Sequence, residues 1–440
     1  MWLKSLTFFA VFVSLVSPKT VMVDLSFRKL KKEDFFVKLQ SQIKLQDVTD
    51  LNLRGNEFDS FLDCSTNLET LRTLDLSQNH LQRFFFLCKE EYNLQMLNVS
   101  YNKLEYIDDN ALNDRVLKLK ILDLSYNKLS IVNETMLYHL TILEYLSLAS
   151  NPIGDGIHEG AFLNLQALKH LDLRNISAPY FSPKLFKTLT NLSFLDLSWN
   201  PINAIPLLPV NLRELDLSGT QVTSLKNLYL PQLQELWLND MSNLTSFDLS
   251  DLENLTNLET LSMIGCRRLI QLSPGLQIGH VLPRLQRLSI KNCNIETLDQ
   301  KLQELLNRVS VIELENNPWK CDCKLNWIDS SVNLTKNFSK NIRCYTPDRH
   351  HGKLLTEVPN YELQCEYDSS VLYSILWVCL SILLLSLIIA TILFLFRHPT
   401  SSWSFKGRNQ DSVSYKNVVE SNTDLVRILT VSETHDRNEE

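Results

Sequence analysis

The chain has 440 residues, of which 44% are hydrophobic, and a formal net charge of −7. That balance argues against a nucleic-acid partner, whose phosphates would repel it. The length has room for two or three globular domains, yet residues 48–319 repeat one line of text, which argues for a single elongated array.

Taken in chain order, residues 1–17 read as a secretory signal. Lys4 supplies a basic start, and Leu6–Val16 is an apolar run of suitable length. Residues 18–47 read as a degenerate N-terminal cap. In it Val21, Val23 and Leu25 alternate like a first strand, and Phe35, Phe36 and Leu39 shield the open end of a core. No cysteine precedes Cys64, so a cysteine-stapled cap is absent from this end, as in a shortened relative of a longer protein.

The repeated line is L-x-x-L-x-L-x-x-N-x-L, seen most cleanly at Leu119, Leu122, Leu124, Asn127 and Leu129. Its anchors fall at Asn56, Asn79, Asn102, Asn127, Asn151, Ile176, Asn200, Thr220, Met241, Cys266, Cys293 and Asn317, at intervals of 20 to 27 residues. The leucines of x-x-L-x-L alternate and share one face of a short strand. The anchor asparagine can bond backbone groups of its own coil and its neighbour, which a buried turn must satisfy. One coil cannot bury its own leucines; stacked coils can. Where the anchor departs from Asn, the ladder should be interrupted.

A period near 24 identifies a leucine-rich repeat solenoid of about twelve repeats. The resemblance implies an α/β fold, a curved horseshoe with a parallel sheet on its concave face. Pro318, Trp319, Cys321, Cys323, Trp327, Cys344, Pro347, Gly352 and Cys365 follow the repeats. Residues 318–365 thereby resemble the C-terminal flanking cap of extracellular members, which include Toll-like receptors and adhesion receptors. That resemblance implies disulfides Cys321–Cys344 and Cys323–Cys365. A zinc site is the rival use of four cysteines. Cys64 and Cys88 lie one repeat apart, as a disulfide or as two buried thiols. Cys266 and Cys293 read as small buried thiols filling the turn.

Residues 371–396 carry no charge and are long enough to span a bilayer. Arg397, Lys406 and Arg408 follow, so the repeats should lie outside and residues 397–440 form a disordered cytoplasmic tail. This predicts a single-pass type I protein of the plasma membrane. Eight N-x-S/T sequons, at Asn98, Asn133, Asn175, Asn191, Asn243, Asn254, Asn333 and Asn337, all precede the span. Asn98 falls on the outward strand face.

The sequence contains no G-x-S-x-G, P-loop or H-E-x-x-H, so no enzyme, cofactor or metal is expected. His350 and His351 read as a solvated turn. The concave face is the expected partner site. Asp75, Asp123, Asp172, Asp196 and Asp216 between the leucines read as a solvated column of consensus filler. Met96, Tyr101, Ile121, Tyr126, Tyr145, Phe194 and Trp199, with Trp237 further on, read as one exposed patch suited to a protein.

The tail lacks the signalling domain of Toll-like receptors. Its one tyrosine, Tyr415, resembles an inhibitory motif, an SH2 or adaptor ligand and an endocytic signal; a phosphate there would recruit arginine. The chain therefore reads as a cell-surface recognition or adhesion receptor for a protein partner. The alternative is an innate-immune accessory or decoy related to Toll-like receptors. Dimerisation is left open.

Overall fold

The computed structural model describes residues 13–17, 20–34, 45–63, 68–86, 91–109, 111–275, 282–329, 342–365 and 369–397. The start of the signal, Phe35, Phe36, Leu39, Cys64, Cys88, Asn333, Asn337 and the tail with Tyr415 lie outside them. Residues 1–366 make one compact unit and 367–440 a second.

In the first unit the leucines dictate the architecture. Leu119, Leu122, Leu124 and Leu129 are fully buried, and so are their counterparts in neighbouring coils. A single apolar core runs without interruption from Val23 to Leu363. Each x-L-x forms a strand of three residues, from Asp50–Asn52 to Val311–Glu313. Successive strands pair in parallel with the central leucines opposite each other, as Leu122, Leu146, Leu171, Leu195, Leu215 and Leu236 show. Among the described residues the main sheet has 14 strands. Thr20–Asp24 extends it in parallel before the first full repeat, and Val13–Ser17 pairs with that strand antiparallel. The return segments are turns and short 3-10 stretches, with two small parallel pairs, Ser60–Asp63 with Arg83–Phe86 and Ser246–Asp248 with Gln271–Ser273, and one α-helix, Gln303–Arg308, among the described residues of the array.

The anchor asparagines form a ladder. Asn127 Nδ2 donates to Val99 O of the preceding coil and Leu124 O of its own, both at 3.0 Å. Its Oδ1 accepts from Leu104 N at 3.1 Å. Asn56, Asn79, Asn102, Asn151, Asn200 and Asn317 repeat the double donation. Ile176 cannot, and there Ile153 N–H turns back onto Asn151 O at 2.9 Å. At Cys266 and Cys293 the thiols take over, donating to Leu238 O and Met263 O at 3.1 and 3.0 Å. Both are buried, and no disulfide joins them.

The cap closes the C-terminal end of the core with Trp319, Leu325, Ile342, Leu355 and Leu363. Cys321 is bonded to Cys344 and Cys323 to Cys365, with Cα separations of 5.5 and 5.0 Å. The cysteines therefore do not offer thiolates to zinc: Asp322, Cys323 and Cys365 cluster closely enough for an ion, but two of the three share a disulfide. His350 is fully buried, not in a solvated turn, and accepts from Arg349 Nε at 3.1 Å; His351 is exposed.

The second unit contains the helix Ser369–Arg397. Its candidate span, Leu372–Phe394, has 23 residues, about 34 Å of helix, enough for the hydrocarbon core.

Candidate functional site: the strand face

Parallel strands about 4.8 Å apart in unbroken register place equivalent side chains one aromatic spacing apart. The first residue of each strand makes a row on the outward face: Met96, Ile121, Tyr145, His170, Phe194, Glu214, Glu235. Tyr145 stacks on His170, with ring centroids 4.5 Å apart, and His170 on Phe194 at 3.9 Å. Ile121 is exposed, and Met96, Tyr145 and Phe194 are half-buried. His170 completes the stack although its residue type does not attract notice in the sequence. The signal was positional, since His170-Leu171-Asp172-Leu173 repeats Phe194-Leu195-Asp196-Leu197.

Tyr101, Tyr126 and Trp199 do not belong to that row. They occupy the turn before the anchor asparagine, with φ of +54°, +55° and +57°. There they build a second row. Tyr101 stacks on Tyr126 at 4.1 Å. Trp199 lies over Gly219, where a Cβ would come within 2.7 Å of its ring and the backbone has φ +68°. The expected single patch is therefore two rows, because the left-handed residue breaks the alternation of the strand.

The aspartates are not solvated filler. Asp75, Asp123, Asp172, Asp196 and Asp216 each accept, through Oδ1, the backbone N–H two residues on, at 2.8–3.0 Å. Each thus closes the strand-to-turn bend. Asn98 does the same and also accepts the Ser100 hydroxyl at 2.7 Å. Asp172 and Asp196 are buried. Arg174 reaches them at 3.5 and 3.7 Å. Burial pushes the Asp196 carboxyl up to about 6 against the pull of its Ser198 hydrogen bonds, and the negative charge of Asp216 adds to the rise. Asp216 is raised for the same first reason, burial. The Arg174 guanidinium is raised because these acids outweigh the opposing effect of its own burial. Burial lowers His170, with Asp172 opposing, and raises the Tyr145 phenol.

Of the described sequons, Asn175, Asn191 and Asn243 are exposed, whereas Asn98, Asn133 and Asn254 are half-buried. Asn191 Nδ2 donates to Gln166 O at 2.8 Å.

The stacked parallel coils, the asparagine ladder and the disulfide-closed cap define a leucine-rich repeat solenoid with the architecture of receptor ectodomains, in a chain that also carries one helix long and apolar enough to cross a membrane. Family models for the leucine rich repeat match residues 92–153, 155–202 and 210–251. Those residues are leucine-rich repeats, about a third of the chain. The chain is 30% identical to human vasorin over 189 residues, 40% of this chain and 27% of vasorin. It is 24% identical to mouse Toll-like receptor 2 over 385 residues, 85% of this chain and 45% of the receptor. The structure of the Drosophila Toll–Spatzle complex aligns with TM-score 0.53 and 20% identity over 76% of this chain and 47% of that one, a likeness of fold alone. The chain spans from about a quarter to under half the length of these curated relatives.

Proposed function

We propose that this chain is a cell-surface recognition or adhesion receptor that binds a protein partner on the strand face of its repeats. In this reading it is a single-pass type I protein of the plasma membrane with the repeats outside. The observation that carries the proposal is the stacked row Tyr145–His170–Phe194 on a face whose fold does not require aromatics there. Rigid aromatic anchors are enriched in protein interfaces. Arg397 at the end of the helix supports the orientation.

The test is binding by the soluble ectodomain, residues 20–366, clustered for avidity, to cells with and without the full-length protein. Selective staining of displaying cells means homophilic adhesion; equal staining means a separate surface ligand. Substitution of Tyr145 and Phe194 by alanine should abolish either. Staining that survives both substitutions moves the site off this face.

The alignment with Toll-like receptor 2 over 85% of the chain favours a second reading, an innate-immune accessory or decoy. It predicts that the chain co-precipitates with a full-length Toll-like receptor from cells that express both.

A further inference from the structure

We propose that the strand face over Phe194–Asp196, Glu214–Asp216 and Glu235–Trp237 docks a basic protein surface and grips one arginine side chain of that partner. The proposal deepens the receptor reading above and rests on it. Register alone puts Phe194, Glu214 and Glu235 in one row and Asp196, Asp216 and Trp237 in the next. Glu214 and Asp216 hold the middle of this tile, Glu235 and the Arg174-paired Asp196 two diagonal corners, and Phe194 and Trp237 the other two.

Glu214 and Glu235 are register partners on the same face of adjacent strands. Like charges so placed repel and destabilise a sheet. Two other glutamates that precede or end strands are answered from within the chain: Glu144 pairs with Lys169 at 2.6 Å, and Glu313 with Lys291 at 2.7 Å. Arg174 is turned toward Asp172 and Asp196. Among the described residues no lysine or arginine comes within ion-pair distance of Glu214, Glu235 or Asp216. Burial raises the Glu214 carboxyl, and the charge of Glu235 adds to it. The fold gains nothing from this repulsion; a cation brought by a partner would relieve it.

Arginine fits the tile better than lysine. Its guanidinium is flat and weakly hydrated, and it can donate to two carboxylates while stacking on a ring. Calcium and magnesium want six or more oxygen ligands, and the Phe194 and Trp237 corners offer none.

The test uses the full chain in nanodiscs of neutral phosphatidylcholine and reads the anisotropy of labelled hexa-arginine and hexa-lysine amides. Hexa-arginine should bind more tightly than hexa-lysine, and Glu214→Gln with Glu235→Gln should weaken it roughly tenfold or more. Trp237→Ala should weaken it as well. The control pair Glu253→Gln with Glu304→Gln, both exposed and remote in sequence from the tile, should leave binding unchanged. Unchanged binding in the tile variant overturns the proposal, as does an equal loss in the control. Competitive displacement of the peptide by millimolar calcium also overturns it and assigns the carboxylates to a metal. If the clustered ectodomain stains cells and keeps doing so with both glutamates neutralised, this proposal falls and the receptor reading stands. If hexa-arginine binds as expected but no cell is stained, the receptor reading falls instead.

Discussion

The imidazole of His170 lies flat on the ring of Phe194, with centroids 3.9 Å apart and planes 3° from parallel. Tyr145 covers its other face. Enclosed between two rings, the imidazole loses water that would solvate a charge, and burial holds its proton affinity below the ordinary value. A lowered folded-state pKa means that the unfolded chain binds more protons. The stability so gained is present above the ordinary histidine pKa of about 6.5 and is lost as the pH falls below it.

His170→Phe keeps a stacked ring and removes the titration. The variant should lose less stability than the parent between pH 7 and pH 5, as read by urea unfolding of the ectodomain. Identical slopes for the two proteins would mean that the enclosed histidine is not linked to folding.

Asp196 works in the opposite direction. Its carboxyl stands at about 6 in the folded chain, above the ordinary value of about 3.9. The folded state therefore binds the extra proton, and ionisation costs about 3 kcal/mol above pH 6. Asp196→Asn keeps an oxygen to accept from Ser198 N, as Asn98 accepts from Ser100 N at the equivalent position. The variant should be more stable than the parent at pH 7.5, with the gain vanishing as the pH falls toward 4. A gain that does not depend on pH would point to packing instead of charge.

Much of this fold is legible in the sequence because burial repeats. Leu122, Leu146 and Leu171 recur at the same place in each coil, and the asparagine anchors announce a ladder whose interruption at Ile176 is visible beforehand. The two-row division of the aromatics is less legible. Alternation carries the outward face as far as Asn98, and Tyr101 then returns to the surface through a positive φ that a tyrosine does not advertise. Gly55, Gly219 and Gly265 share that repeat position and that backbone conformation, so the glycines carried the signal. The buried state of Asp172 and Asp196 was not legible, since it depends on neighbours across several coils.

Asn127→Ala tests the ladder. The substitution leaves Leu104 N–H without its acceptor in the buried turn, whereas Val99 O and Leu124 O each lose one donor and keep another, from Asn102 Nδ2 and Asn151 Nδ2. One unsatisfied buried group costs about 1–3 kcal/mol, so with the two weakened acceptors a loss of roughly 2–3 kcal/mol is expected. Because coils contact only their neighbours, amide exchange should accelerate in residues 99–129 and remain slow near Leu236 and Leu261. A loss below about 1 kcal/mol would mean that the turn rebonds to itself, as Ile153 does onto Asn151.

Glycan occupancy separates sequons that look alike in sequence. Asn175 and Asn243 are exposed. Asn98 sits inside the strand Met96–Asn98, half-buried, with Oδ1 held by both the N–H and the hydroxyl of Ser100. A sugar on its Nδ2 would have to rise from the floor of the strand face, beside Met96 and Ile121. If that face receives a protein, the sugar would obstruct it. Mass spectrometry of peptides from the secreted ectodomain should therefore find Asn175 and Asn243 occupied and Asn98 largely bare. Asn98→Gln should leave both secretion and cell binding unchanged. Full occupancy at Asn98, with binding that improves on its removal, would place a glycan over the partner surface and move the favoured contact toward the turn row of Tyr101, Tyr126 and Trp199.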